Sequence, residues 1–440
     1  MNNLTPPVKR TSRFSNVFRS LRHRNYKLWF FGQTISLIGS WMQTMAQQVL
    51  VYRLTGSAAA LGMVNFVALI PLIPLSLLSG SISDRFPKRS MILLSQLMML
   101  IQAILLAGLT WSGSVQVWHV YLLSFFLGAA QAIDLPARQA FTVDLVEGKE
   151  DLTNAIGLNS AMFNTARALG PALAGIVVAA TGEAIAFLLN AITFIAVIIS
   201  LLMMRNLPQS SHPVAKGTST ISHLAEGFRF IKSQPSLIVL FSLIAVSAFL
   251  SMPYNTLMPV FADNILAGSA KPVVDYFCNA QTGLLTCQSP EALPLGILLA
   301  SVGIGAVAGA FVVASLPEHA GRGKYLTLGN IGFPLSLLLF SLSRSFVASL
   351  VLMLFIGFSF VWQNSLANTL LQLLTPDDLR ARVMSLYTTT FQGMTRLGSL
   401  QAGYMGDWFG APFAIGLGAV ISLAYGIFVA FRFPSVRKMH

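Results

Sequence analysis

Charge is what this sequence has least of. Only 10% of its 440 residues are Asp, Glu, Lys or Arg, against about 25% in soluble domains, which excludes an ordinary soluble enzyme. Acidic residues are scarcer than basic ones, 15 against 28. Cysteine is nearly absent at two residues, so no disulfide-dense scaffold and no cysteine-rich metal site can organise the chain. The six histidines (His23, His119, His212, His223, His319 and His440) fall in loops or tails and form no H-E-x-x-H pattern. No G-x4-G-K-[ST] loop is present either. Metal hydrolysis and nucleotide-driven work therefore lack their residues, and no cofactor or metal is expected.

What the chain does have is apolar text. Apolar residues make up 55% of it, enough for about a dozen membrane spans at roughly 20 residues each. Apolar stretches lie near 28–52, 58–82, 90–111, 117–138, 153–179 and 184–204. Six more lie near 236–260, 293–315, 324–343, 346–372, 382–405 and 411–431. The first run is too long and starts too late for a cleavable signal peptide. The net charge of +13 would suggest nucleic acid in a soluble protein. Here it sorts by membrane side. With twelve alternating spans, every basic residue but five falls on the side of the two termini; Arg53, Lys271 and Arg344 fall opposite, and Arg167 and Arg396 fall inside spans. The asymmetry expects both termini in the cytoplasm and no nucleic-acid partner. Phe14, Val17, Phe18 and Leu21 recur at helical spacing among the tail arginines, which suits a short helix on the inner leaflet, a loose basic tail being the alternative.

A shift of 228 residues aligns the fourth and fifth spans with the tenth and eleventh. Phe163 then meets Phe391, Leu169 meets Leu397, Gly170 meets Gly398, Ala174 meets Ala402 and Gly175 meets Gly403. Six spans repeated in parallel expect an all-α integral membrane fold of twelve helices in two six-helix bundles, with a site between them. The expected division is a basic tail at 1–27, a first bundle at 28–205, a linker at 206–235, a second bundle at 236–431 and a tail at 432–440. An extracytoplasmic insertion at about 262–293 interrupts the second bundle and holds Cys278 and Cys287. Disulfides persist on that side, so the two are expected to be bridged, two free thiols in a mobile loop being the alternative.

Three motifs point to a family. The second loop reads Gly80-Ser-Ile-Ser-Asp84-Arg85-Phe86-Pro87-Lys88-Arg89. It resembles motif A of the major facilitator superfamily, with Pro87 in place of a glycine. The resemblance implies a gate in which Asp84 and the basic cluster latch the halves, Asp84 against the start of the eleventh span. Thr375-Pro376-Asp377-Asp378 reads there as a capped helix start. Gly157, Ala166, Gly170, Pro171, Ala174 and Gly175 resemble the antiporter motif C, with alanine at two glycine positions. Leu21-Arg22-His23-Arg24-Asn25-Tyr26, Gly32-Gln33-Thr34-Ile35-Ser36, Gly39-Ser40-Trp41-Met42 and Asp134-x-Pro136-Ala137-Arg138-Gln139-Ala140 resemble the transmembrane secretion effector branch, which includes an enterobactin exporter. The cysteine-bearing insertion departs from that pattern.

Polar residues inside spans mark the expected pathway, because they are costly in lipid. The first span presents Gln33, Ser36, Ser40, Thr44 and Gln47 on one face; the fourth has Ser124 and Gln131, and the tenth Ser359, Trp362 and Gln363. Gln33, Ser40, Gln47, Gln131, Trp362 and Gln363 are candidate substrate contacts, together with Arg167 and Arg396. An arginine without a local counter-charge favours an anionic or catecholate-like substrate; bonding to backbone or holding the halves together is the competing role. Asp134 is the leading proton carrier, set against a structural pair with Arg138 four residues on.

The resemblance implies a secondary transporter of a bacterial inner membrane, a monomer whose partners are the lipid bilayer, protons and a small-molecule substrate. The substrate expected is a siderophore or other amphipathic molecule moved outward by proton antiport. A multidrug or macrolide efflux pump is the alternative within transport, and a non-transporting membrane sensor or enzyme the alternative outside it.

Overall fold

The computed structural model describes residues 18–83, 86–207, 220–278, 286–317 and 321–437. Twelve long helices account for nearly all of them. The first six are α1 (Arg24–Thr55), α2 (Ala58–Ser83), α3 (Lys88–Trp111), α4 (Val117–Asp144), α5 (Lys149–Thr181) and α6 (Glu183–Met203). A broken α7 (Pro235–Ile265) follows, then α8 (Ala292–Ala314), α9 (Arg322–Leu342), α10 (Phe346–Leu374), α11 (Asp377–Phe409) and α12 (Ala411–Arg432). Among the described residues, ten helices are long and apolar enough to cross a membrane. The other two are α1 and α11, of 32 and 33 residues. They are long enough to span, and their polar and charged residues lower their hydropathy. α1 turns Gln33, Gln43 and Gln47 into its own bundle and α11 turns Arg396 onto Gln131 of the first, so protein rather than lipid receives those residues.

The helices form two six-helix bundles, α1–α6 and α7–α12. In the first, α1 packs on α5 and α6, and α4 on α2 and α3; in the second, α10 packs on α8 and α9, and α12 on α9 and α11. The bundles meet along two crossings, α5 with α8 and α2 with α11. These are one contact made twice, since α8 repeats α2 and α11 repeats α5. The glycines that align in the sequence do the same work in each copy. A Cβ on Gly175 would lie 2.9 Å from the Cα of Gly296 in α8, and one on Gly403 would lie 2.6 Å from the carbonyl oxygen of Ala58 in α2. Gly170 lies against Trp41 and the Ile38 carbonyl of α1, and Gly398 against the Phe249 carbonyl of α7. Close backbone approach of this kind supplies the packing energy that lipid-facing helices otherwise lack.

The buried core shows where the bundles touch. One large cluster draws on both halves near the face opposite the termini, including Leu50, Leu61, Val178, Leu257, Leu295 and Ala402. Toward the face of the termini it divides. Tyr26, Trp29, Ile92, Phe141 and Leu201 form a cluster of first-bundle residues, and Leu240, Leu326, Leu370, Val383 and Val436 one of second-bundle residues. The bundles thus share one core at the face opposite the termini, where they are closed on each other, while toward the termini each keeps a core of its own. We call the closed face the outer face.

Several local readings are revised. α1, α5, α7 and α11 overrun their apolar stretches at both ends, because polar residues continue a helix beyond the hydrocarbon layer that hydropathy detects. Thr375 does not cap α11; its hydroxyl donates to the Leu371 carbonyl at 2.6 Å and closes α10 instead. Phe14 and Val17 lie outside the described residues, and the tail that follows them is a single turn, Arg19–Arg22, docked on the start of α5. Ser20 is buried there, with its N–H and hydroxyl on Asn154 and Asp151, and Arg19 pairs with Glu150 and Asp151. The hydrogen bond to Glu150 and the Asp151 charge hold the Arg19 guanidinium above its ordinary pKa. The insertion holds a helix, Ala267–Cys278, and Cys278 is bridged to Cys287.

Candidate functional site

The two arginines inside the spans sit at the boundary between the bundles. Arg167 lies near the middle of α5 and reaches into the second bundle. Its guanidinium carbon stands 4.7 Å from the centre of the Phe360 ring on α10 and 5.9 Å from that of Trp41 on α1, beside the Tyr254 hydroxyl of α7. Arg396, near the middle of α11, reaches the other way and donates to the Gln131 amide oxygen of α4 at 2.9 Å. Its second terminal nitrogen, Nη1, is buried with no hydrogen-bond partner. Neither arginine has a carboxylate partner among the described residues.

The surroundings add aromatic faces. Trp41 meets Phe163 edge-on at 5.8 Å, Phe360 lies 6.5 Å from Phe391, and Phe391 stacks on Tyr387 at 6.4 Å. Phe163 and Phe391 are paired by the sequence repeat, the first set on Trp41 and the second on Phe360 and Tyr387. Burying a guanidinium without a counter-charge is costly, unless rings and amides share the load. The same groups can offer charge-assisted hydrogen bonds to an anionic oxygen and flat faces to an aromatic body.

Asp134 lies apart from this pair, inside the first bundle. Its Oδ1 accepts from the Ser95 hydroxyl at 2.9 Å and the Gln96 amide at 3.1 Å, both on α3. Its Oδ2 accepts from Arg138 Nε at 2.9 Å and from Nη2. Arg138 also donates to Gln33 on α1 and lies 5.8 Å from the centre of the Trp29 ring. The acid is thus a fully bonded member of a network tying α1, α3 and α4. A neutral network continues toward the outer face: Gln43 bonds Gln102 and Asn190, and Gln47 donates to Ser124 at 3.0 Å.

The remaining candidates fall in different places. Gln33 and Gln47 serve these networks within the first bundle, and Ser40 is half-buried on α1. Gln363 lines a small hollow of about 10 Å³ inside the second bundle and accepts from Ser247 at 3.0 Å. Trp362 packs edge-on against Tyr325 at 5.5 Å, its indole N–H unpartnered. Of the gating motif, Asp84 and Arg85 lie outside the described residues, and Gly80 is in the last turns of α2. Lys88 pairs with Asp144 at 2.7 Å and Arg89 donates to the Leu202 carbonyl at 3.2 Å, so both act within the first bundle. In the antiporter motif, Gly170 and Gly175 are packed as described, the Pro171 carbonyl faces Gly296, and Gly157 has nothing within 4 Å of where a Cβ would be.

Sequence reasoning did not pick out Tyr254, Phe360 or Ser95, because aromatic and hydroxyl residues in a long span read as ordinary membrane text. Glu183 was also missed as a buried acid. It sits at the start of α6 and forms a two-point pair with Arg53, at 2.8 and 3.2 Å.

The profile of a protein family described as transmembrane secretion effector matches residues 15–274 and 285–440. A staphyloferrin A transporter of Staphylococcus aureus is 24% identical over 389 residues, which cover 87% of this chain and 90% of that protein. The enterobactin exporter EntS of Escherichia coli is 24% identical over 408 residues, 91% of this chain and 86% of its own. Among solved structures, the peptide transporter POT superposes with a TM-score of 0.71 at 13% identity, over 95% of this chain and 96% of its own. The nucleoside transporter NupG does so with a TM-score of 0.67 at 15% identity, over 96% and 100%. These likenesses agree with the fold of two six-helix bundles. The chain belongs to the transmembrane secretion effector family of the major facilitator superfamily, and it is a multi-pass membrane transporter rather than an enzyme.

Proposed function

We propose that this chain is a secondary active exporter that moves an amphipathic organic anion of the siderophore type out of the cytoplasm of a bacterium, across the inner membrane, in exchange for protons. The observation that carries the substrate class is the pair of guanidiniums at the bundle boundary. Each reaches into the opposite half, neither has an acidic partner among the described residues, and one keeps a buried N–H group unspent. An anion with an aromatic body satisfies both the charge and the rings around Arg167. The relatives named for staphyloferrin A and enterobactin support the same class.

Orientation rests on the basic residues, which gather on the face of the termini and so put that face in the cytoplasm. In that orientation the side where the two cores divide faces inward, and substrate loads there from the cytoplasm. For coupling we assign Asp134, a buried acid inside a span whose partner Arg138 lies on the same helix. Protonation of Asp134 would free Arg138 and loosen the tie to Gln33 on α1. A drug-efflux reading draws on the same aromatic faces, Trp41, Phe163 and Phe360. The two part over charge. Inside-out membrane vesicles carrying the chain should accumulate a catecholate or carboxylate siderophore when their lumen is acidified, and lose it when the gradient is collapsed. Accumulation of neutral or cationic aromatic drugs alone would support the efflux reading and overturn this one.

A further inference from the structure

Most of the outer closure is made of small residues and backbone, but one point of it is held by a charge. Asp407 stands in the last turn of α11 and reaches across the bundle boundary to the start of α2. Its Oδ1 accepts from the Ala58 N–H at 2.6 Å, and its Oδ2 from the Ala59 N–H at 3.1 Å and the Ser57 hydroxyl at 2.5 Å. The Ser57 hydroxyl oxygen in turn accepts from the Ala60 N–H at 3.2 Å. The opening N–H groups of α2 are therefore capped in large part from another bundle. A carboxylate at the C-terminal end of its own helix sits against the negative end of that helix. Asp407 gains by facing the positive end of α2 instead, and only while the bundles meet at this face.

The repeat makes the contrast plain. The position in α5 that aligns with Asp407 is Ala179, which has no side chain to spend. There the Ala179 carbonyl accepts the N–H groups of Gln288 and Ser289, at 2.7 and 3.1 Å, from the segment just past the disulfide. At these two repeat-related points the outer face thus closes once by backbone alone and once by a carboxylate on a helix end, and a neutral bond from Asn264 to the Tyr52 hydroxyl at 2.6 Å adds to them. Near the charged point Gly403 and Gly62 bring α2 and α11 into backbone contact, and Ser399 lies 3% exposed beneath it.

We propose that Asp407 is the outer gating residue of this transporter. Its cap on α2 sets the population of the outward-closed state, and release of that cap is a step in opening to the outside. The reading depends on the two-bundle fold and not on which molecule is carried.

The experiment uses the full chain in right-side-out vesicles with Ser399→Cys as a reporter, the native cysteines being bridged to each other. A membrane-impermeant maleimide added outside labels the reporter only when the face opens. A helix-capping contact of this kind is worth about a tenfold shift in an equilibrium, so Asp407→Ala should raise the labelling rate about tenfold. Asp407→Asn should raise it less, Asp407→Glu should restore it toward the parent rate, and Ser57→Ala should give a smaller rise in the same direction. The apparent KM for substrate on the inner side should rise with the labelling rate, because fewer molecules face inward. Unchanged labelling in both Asp407→Ala and Ser57→Ala, at normal expression, would overturn the proposal. So would a fall in maximal rate alone, with KM and labelling untouched.

Discussion

Replacing Asp134 by Asn keeps the shape of the side chain and removes its charge. Arg138, 22% exposed, then loses both contacts to the Asp134 carboxylate and keeps only Gln33 and the face of Trp29. The new amide N–H groups also face the donors of Ser95, Gln96 or Arg138, all of which now compete for one oxygen. Removing one partner of a buried pair costs about 3 to 5 kcal/mol, because the other charge stays buried. Asp134→Asn should therefore unfold in detergent at markedly lower temperature or denaturant than the parent chain. The double variant Asp134→Asn with Arg138→Gln removes both charges and should recover most of that loss, to within about 1 kcal/mol. It also separates folding from coupling. If Asp134 carries the proton, the double variant folds and equilibrates substrate downhill, yet a pH gradient no longer drives accumulation. Thermal unfolding and gradient-driven uptake in vesicles, measured on the same preparations, read both. A single variant as stable as the parent would refute the burial energetics. Undiminished gradient-driven accumulation by the double variant would refute the proton role.

Further outcomes follow from the packing. A Cβ at Gly303 would lie 2.2 Å from the Cα of Ala168, backbone against backbone at the α5–α8 crossing. Gly303→Val should therefore push the bundles apart, at about 1 to 3 kcal/mol or more, and abolish transport while α1–α6 contacts persist; cysteine cross-linking across the crossing checks it. Reduction, or Cys278→Ser with Cys287→Ser, should loosen the outer segment by about 2 to 3 kcal/mol on the chain-entropy estimate. Proteolysis between the two cysteines should then rise while transport persists. Breaking the Arg53–Glu183 pair with Arg53→Met leaves Glu183, 4% exposed, without its guanidinium. Because Arg53 is 48% exposed, that variant should be less stable by only about 1 kcal/mol, and Arg53→Met with Glu183→Gln should recover most of the loss in the same unfolding assay.

The twelve spans were legible because the hydrocarbon layer imposes one length and one polarity on every crossing helix. The repeat was legible for a narrower reason. Glycines that let backbones touch cannot be replaced by larger residues, so Gly170 and Gly398, and Gly175 and Gly403, survive as matching text in the two halves. Arg167 and Arg396 stood out because charge is so rare in spans. Their partners did not, since Tyr254, Phe360 and Trp41 look like any apolar residue until the fold brings them to a guanidinium. The same limit hid the outer latch. Asp407 and Ser57 are 350 residues apart, and nothing local in either segment names the other. Lys88 and Arg89, read as parts of a latch between halves, bond Asp144 and the Leu202 carbonyl at the end of α6 in this structure, partners that the motif alone did not name. Gln363 is similar, a polar residue in a span that serves a hollow within one bundle rather than the space between two.

If Arg167 and Arg396 select an anion between the bundles, removing both charges should separate the transport of charged and neutral substrates. The purified chain and its Arg167→Gln with Arg396→Gln variant are reconstituted in proteoliposomes under the same imposed pH gradient. Uptake of a catecholate siderophore is measured beside that of a neutral aromatic compound of similar size. The account predicts that the variant loses at least tenfold in siderophore uptake, chiefly through KM, while the neutral compound is carried as well as or better than before. Equal loss for both compounds would reduce the arginines to a structural tie, and unchanged siderophore uptake would contradict the account outright.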